Sequence, residues 1–291
     1  MTDICDRLRL TPASADWPAE LRSVEGEPDE LWLRGRTGLL AQRPRIALVG
    51  TRAPTPYGEA QAARFAEAFA RANCVVVSGL ARGIDQAAHR AVLDAGGATI
   101  GVLGSGIDRP WPVCPVAERM TREGLLLSEF HPGQAPLPHH FPMRNRIISG
   151  LCAAVVVIEA AHASGSLITA RWAADQGRLV FALPGRVDHP MSRGTHKLIR
   201  DGAQLVEDPL DVLTELGVRG AQPPQRSTAP ELDRERARLL DELRGETLGS
   251  EELARRLGEP LPQVLVALVE CEMSGHVRRL PGGRYQLAAT E

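Results

Sequence analysis

The sequence predicts an α/β fold, a parallel sheet with helices on both faces, followed by a small C-terminal winged-helix domain. Three observations carry this. From Arg45 onward, short apolar runs alternate with helical periods, the order that builds a doubly wound sheet. The run at 153–158 is valine-rich and lacks polar alternation, as a strand covered on both faces should be. After a Pro-, Gln- and Ser-rich stretch, three helical periods precede a hairpin signal, which is the order of a winged helix.

Taken in order, residues 1–44 carry scattered apolar positions around Trp17, Leu21, Leu31 and Trp32, and are expected to form an irregular lead-in packed on the core. Strands are predicted at 46–49, 74–77, 99–103, 125–128, 153–159, 179–183 and 204–206. Helical periods fall between them, notably 58–72, with Phe65, Ala66 and Phe69 on one face, and 84–95. A last core helix is expected over 209–217, which gives a core domain at 45–217. Residues 218–230 have linker chemistry. Over 231–291, helices are expected at 231–243, 250–257 (with Ser250 as cap) and 261–273, then a hairpin at 275–287 turning on Pro281-Gly282-Gly283.

Composition narrows the function classes. The 291 residues are 43% hydrophobic, an ordinary globular content, and contain no apolar run long enough to span a bilayer. The start, MTDICDRLRL, has none of the character of a secretory signal, so a cytoplasmic location with no membrane association is expected. The five cysteines are scattered, without a CxxC pair or a histidine at ligand spacing, so neither a metal site nor a disulfide framework is expected. Net charge is −2, and Lys197 is the single lysine. Phosphate binding must therefore rest on local arginine clusters rather than on the overall field.

Five of the seven predicted strands end in a loop of small residues. These are Gly50-Thr51-Arg52, Ser78-Gly79-Leu80-Ala81-Arg82-Gly83, Gly104-Ser105-Gly106, Ser164-Gly165-Ser166 and Pro184-Gly185-Arg186. Parallel topology brings such loops to one sheet edge, where ligands bind. Ser164-Gly165-Ser166 opens a helix and offers unpaired amides to an anion. Arg52, Arg82, Arg144 and Arg146 are all expected at that edge, with Phe141 as a stacking face beside them. The alternatives are surface ion pairs for the arginines and a loop anchor for the ring. The glycine pattern fits neither a dinucleotide fingerprint nor a P-loop, so no nucleotide cofactor is expected. Asp85 and His89, four apart, read either as an acid–base pair or as a helix-capping aspartate with a local partner. No GxSxG elbow surrounds Ser164 or Ser166, and Glu159 reads as a loop-orienting group.

The terminal domain carries twelve acidic residues against nine arginines over 231–291, a net charge of −3. Its third helix bears Glu270 and Glu272, no basic residue, and only Gln263 among base-reading side chains. A protein-contact or accessory role is favoured over sequence-specific DNA reading.

Several segments together resemble the DNA-processing protein A (DprA/Smf) family of bacterial natural transformation. They are IALVGTRAPTPYG (46–58), VVSGLARGIDQAAH (76–89), VLGSGIDRPWP (102–112), LLSEF (126–130), FPMRNRIISGL (141–151), VVVIEA with SGSLITA (155–170) and the Pro184-Gly185 pair. The resemblance implies an extended Rossmann-like core that binds single-stranded DNA and loads RecA onto it. It also implies displacement of single-strand binding protein, homodimer formation, and neither catalysis nor a cofactor. Carried over, the DNA contacts fall on Gly50, Thr51, Arg52, Ser78, Gly79, Arg82, Gly83, Phe141, Arg144, Asn145 and Arg146. Ser164, Gly165 and Ser166 join them as the anion seat, and Lys197 as a compensating cation. Three features depart from the family pattern. Forty-four residues leave little room for an N-terminal helical domain, Trp111 stands where tyrosine is more usual and is followed by uncharged Val113 and Cys114, and His196 replaces an asparagine. The alternative function is a nucleotide or phosphoribosyl hydrolase at the same edge, with Asp85, Glu129 or Glu159 as its acid or base.

Overall fold

The structure, a computed structural model, describes residues 4–218 and 231–288. They fall into two compact units, Met1–Ala221 and Gln222–Glu291. In the first unit the strands are β1 (Ile4–Leu10), β2 (Leu31–Arg36), β3 (Arg45–Val49), β4 (Val75–Ser78), β5 (Ala98–Val102), β6 (Leu125–Ser128), β7 (Ala154–Val157), β8 (Leu179–Ala182) and β9 (Gln204–Leu205). The helices are α1 (Pro56–Arg71), α2 (Ile84–Asp94), α3 (Pro115–Glu123), α4 (His140–Gly150), α5 (Ser166–Asp175), α6 (Arg193–Arg200) and α7 (Pro209–Glu215). The nine strands form one sheet in the order β1-β2-β6-β5-β4-β3-β7-β8-β9, parallel from β6 to β9.

Successive residues of the central strands alternate between two cores. Ala47, Val49, Val75 and Val77 face Ile147 and Ile148 of α4, Leu151 just after it, and Ala170 and Ala173 of α5. Ile46, Leu48, Cys74 and Val76 face Phe65 and Phe69 of α1, Ile84, Ala88 and Val92 of α2, and Val212 of α7. Burial on both faces is why these strands read as continuous apolar runs.

The expectation for residues 1–44 is corrected. The lead-in is not irregular, because β1 and β2 extend the sheet antiparallel beyond β6, with Trp32 opposite Ser128 and Leu33 opposite Leu127. In β2, Leu31, Leu33 and Gly35 are buried between half-buried neighbours, the period of two that Trp32, Arg34 and Arg36 obscure in sequence. The charges of Asp6, Arg7 and Arg9 line the outermost strand, a placement that discourages pairing with another chain.

The lead-in is tied to the sheet by Arg45, which is fully buried at the start of β3. Its guanidinium donates to the carbonyls of Leu151 (2.6 Å) and Leu40 and lies 2.9 Å from the Glu20 carboxylate. Arg43 shares that carboxylate at 2.6 Å.

The second unit contains α8 (Glu231–Glu242), β10 (Leu248–Gly249), α9 (Ser250–Leu257), α10 (Leu261–Met273), β11 (Val277–Leu280) and β12 (Arg284–Leu287), with sheet order β10-β12-β11. Its core is Leu239, Leu243, Leu248, Leu253, Leu257, Val264, Leu268, Val277 and Tyr285. Ser250 is the first helical residue of α9 rather than its cap; Gly249 occupies the cap position without a side-chain bond. The helix ends at Gly258, whose φ of 69° suits a residue without a Cβ. Apart from Val218, the linker expected at 218–230 lies outside the described residues. No helix among the described residues is long and apolar enough to cross a membrane.

Removing the carboxylate that balances a buried arginine is costly. Glu20→Ala is expected to lower unfolding free energy by about 3 kcal/mol. Denaturant titration checks this, with an m-value close to the parent's.

Candidate nucleic-acid interface

The carboxyl ends of β3 and β7 lie side by side where the chain order reverses, since β4, β5 and β6 run outward on one side and β8 and β9 on the other. Two loops meet there. The amide of Ile84 donates to Thr51 O (3.2 Å), and a Cβ on Gly83 would collide with Thr51 O and crowd Arg52. Gly83 also has φ = 83°, so it needs both the room and the conformational freedom of glycine. Gly50 is equally constrained, because a Cβ there would enter the Ile84 side chain. Thr51 is buried, and its amide donates to Glu159 O at 2.7 Å.

Glu159 brackets the first loop from β7. Its carboxylate accepts from the Thr55 hydroxyl (2.6 Å) and the Thr55 amide (2.9 Å), while Thr55 Oγ1 accepts from Gly58 N (3.1 Å) and caps α1. A capping threonine contributes about 1 kcal/mol, and here the same side chain fixes the loop that carries Arg52.

The second loop is built on a buried pair. Asp85 accepts from the amides of Gly79 (3.1 Å) and Ala81 (3.3 Å). Arg144, reaching over from α4, donates to Gly79 O (2.6 Å) and Val102 O, and its Nε donates to Asn145 Oδ1 (3.1 Å). A Cβ on Gly79 would collide with that guanidinium. Burial pushes the Asp85 carboxyl up, with the Arg144 charge opposing it. Burial also lowers Arg144 to about 10, against the pull of Asp85. His89 does not pair with Asp85. Its Nδ1 lies 2.7 Å from the Thr99 hydroxyl, and burial, with the Arg144 charge second, holds the imidazole down at about 3.

These contacts sort the expected arginines into two groups. Arg144 and Arg146 were expected to project at the edge, but both are buried, at 4% and 8% exposure. The guanidinium of Arg146 pairs with both Glu129 oxygens (2.7 and 2.6 Å) and donates to Gly26 O (2.8 Å) and Met143 O (2.9 Å). Four of its five N–H groups are engaged, joining α4 to the strand β6 exit and the lead-in. Arg52 and Arg82 are exposed and have no ion pair among the described residues. The Arg52 guanidinium lies 5.7 Å from the Phe141 ring centre, within cation–π range. Phe141 itself is half-buried against Gly104, which has no room for a Cβ beneath the ring.

The remaining expected residues divide similarly. Ser78 is buried and its hydroxyl donates to Leu48 O (2.6 Å), so it braces the sheet. Asn145 is buried and its amide reaches Gly165 O at 3.4 Å, linking α4 to the turn before α5. In that turn Gly165 is exposed, while Ser164 and Ser166 bond each other at 2.8 Å. Lys197 is paired with Asp201 one turn along α6. Sequence reasoning overlooked Arg193, exposed at the start of α6 and without an ion pair among the described residues. The Gly194 amide holds it beside the β7 loop by donating to Ala160 O at 2.7 Å. The signal was a lone arginine before Gly194-Thr195, in the same small-residue style as the other loops.

The three carboxylates able to serve as acid or base are each engaged: Asp85 with two amides, Glu129 with Arg146, Glu159 with Thr55. Among the described residues no His, Cys, Asp and Glu cluster is arranged to hold a metal ion.

The family model for DNA recombination-mediator protein A matches residues 9–217, and that for the DprA winged helix domain matches 222–283. The chain belongs to the DNA recombination-mediator protein A family. Protein Smf of Escherichia coli strain K12 is 38% identical over 289 residues, covering 96% of this chain and 77% of that protein. DNA processing protein DprA of Bacillus subtilis is 42% identical over 212 residues, 72% of this chain and 71% of the relative. The X-ray structure of DNA processing protein A from Streptococcus pneumoniae superposes with a TM-score of 0.69 at 41% identity, over 73% of this chain and 75% of that one. The protein from Helicobacter pylori, whose structure was described for its single-stranded DNA binding mode, gives 0.66 at 29% identity, over 74% of this chain and 98% of that one.

Two tests follow from the buried groups. Arg146→Ala strands Glu129 and is expected to lower unfolding free energy by about 3 kcal/mol, read by denaturant titration. The unfolded chain takes up a proton near the ordinary histidine value of 6.5, which folded His89 refuses down to about 3. Stability contributed by this group is therefore lost as pH falls through that window, by at most about 1.4 kcal/mol per pH unit. His89→Gln is expected to have a flatter stability profile than the parent between pH 6.5 and 4 in urea titrations.

Proposed function

We propose that the chain is a non-enzymatic single-stranded DNA-binding protein that protects incoming strands and loads RecA onto them in natural transformation and recombination. It acts in the cytoplasm as a homodimer and takes the strand over from single-strand binding protein. The observation that carries the reading is the pair Arg52 and Arg82, exposed on two touching glycine-built loops and without an ion-paired carboxylate among the described residues. Guanidinium groups beside close-approaching backbone suit phosphodiester oxygens. The name given to the H. pylori relative's binding mode points to the same ligand.

In this reading the strand's phosphates lie on Arg52 and Arg82, with Arg193 and the open Gly165 turn continuing the path across β7. Phe141 contributes one ring face near Arg52, and a base or Arg52 occupies it. Gly50, Thr51, Ser78, Gly79, Gly83, Arg144, Asn145 and Arg146 serve by shaping and bracing the loops. The domain of 45–217 carries the strand, 218–230 tethers, and 231–291 is accessory. Engagement of Asp85, Glu129 and Glu159 in structural contacts favours binding without turnover over the hydrolase alternative.

Fluorescence anisotropy with labelled oligothymidylate, titrated across salt concentrations, tests it. Each single-strand phosphate contact contributes about 0.7 to the slope of log affinity against log salt, so Arg52→Ala with Arg82→Ala is expected to reduce the slope by about 1.4. Parent-like affinity and slope in that double variant would contradict the reading. The RecA step is checked by following RecA filament growth on strand already covered by single-strand binding protein, which the parent should accelerate and the double variant should not.

A further inference from the structure

The second unit is acidic overall, yet its charges are segregated. All of its described acidic residues precede the hairpin, whereas 276–288, reading HVRRLPGGRYQLA, contains three arginines and no acid. The arginines elsewhere in the unit are largely taken up by acids: Arg236 pairs with Glu270, Arg238 with Glu259, Arg244 with Asp241, and Arg256 with Glu242, Glu246 and Glu252. Arg278, Arg279 and Arg284 are exposed and have no ion pair among the described residues. We propose that the hairpin β11–β12 is a phosphate-binding surface that holds a polynucleotide backbone without reading its bases.

The register explains how the charge is displayed. Arg278 lies opposite Gln286 and Leu280 opposite Arg284. Directly opposed residues, and residues two apart on one strand, share a face, so Arg278, Arg284 and Gln286 stand together. The other face turns Val277 and Tyr285 into the core. Arg279 belongs to that second face but lies towards the tip, its guanidinium 6.0 Å from the Tyr285 ring centre. Arg284 is steadied by a hydrogen bond to Thr247 O, which leaves further N–H groups on its fork. Gly282 and Gly283, with φ of 85° and 72°, make the tight turn that brings the two arginine-bearing strands together.

The neighbouring helix is poorly equipped to read bases. α10 exposes Val266 at 60% and Val269 at 51%, and offers Gln263 but no arginine, lysine or asparagine. Direct readout needs such donors in a groove. Phosphates need only positive charge and N–H groups, which the hairpin supplies. The ligand class is therefore a phosphodiester backbone, either the continuation of a strand held by the first unit or a duplex. Only the identity of the anion as nucleic acid rests on the function proposed above.

The test uses the full chain carrying Arg278→Ser, Arg279→Ser and Arg284→Ser, with a second variant in which all three are lysine. Anisotropy against salt is measured for single strands of about 40 nucleotides and for a duplex of the same length, long enough to engage more than one site. On the ligand it holds, the serine variant is expected to lose about tenfold in affinity and up to about 2 in slope on the single strand or about 2.7 on the duplex, and the lysine variant to keep the slope. Loss on the single strand alone identifies strand continuation, and loss on the duplex identifies a duplex surface. Unchanged affinity and slope on both overturn the proposal, as does a preference above about tenfold for one base sequence, lost in the serine variant. The double variant of Arg52 and Arg82 is measured in parallel. If it binds as the parent does while the serine variant is weakened, the first-unit reading fails and the hairpin stands; the opposite pattern separates them the other way.

Discussion

The buried contact between α4 and the loop after β4 is the constraint on which the candidate interface depends. Arg144 takes the carbonyls of Gly79 and Val102, Asp85 takes the amides of Gly79 and Ala81, and between them they satisfy the polar backbone at the exits of β4 and β5. Leaving such groups unpaired inside the protein would cost about 1–3 kcal/mol each. With both charges inside, the loop has little freedom. It presents Arg82 at the surface and allows Gly83 to touch Thr51.

Arginine therefore has two separate uses in this chain. Arg45, Arg144 and Arg146 are interior ties, each satisfying carbonyls or a carboxylate that a shorter or less branched cation would not reach together. They join the lead-in to β3, α4 to the sheet exits, and α4 to β6. Arg52, Arg82 and Arg193 lie outside this framework and keep their charge exposed. The polar contacts of Arg144 and Asp85 fix the loop that carries Arg82, and the Gly194 amide fixes the start of α6 that carries Arg193.

Charge segregation in the second unit follows related logic. Most of its described arginines before the hairpin pair with acids, two of these pairs at i,i+4 or i,i+3 spacing, while the hairpin has no acid within its own sequence. A net charge computed over the whole unit averages these two regions and conceals both. The winged-helix order was legible from periodicity, but the balance of charge between hairpin and helices mattered only once the strand register had placed Arg278 and Arg284 on one face.

The sequence by itself determined the parallel core, its strand positions to within a residue or two, the glycine loops at one edge and the family, because each depends on local pattern or on residues quoted in order. The antiparallel extension by β1 and β2 escaped it, since charged side chains on an edge strand mask the alternation beneath them. Which arginines are buried was also decided only by tertiary structure. In the motif Arg144-Asn145-Arg146, two guanidinium groups that look like surface cations meet, beyond the local Met143 O, a carboxylate and carbonyls contributed by residues 17 to 120 positions away. A one-dimensional pattern records that an arginine is present. The partner that desolvates and neutralises it comes from folding, and that partner settles whether the charge reaches solvent.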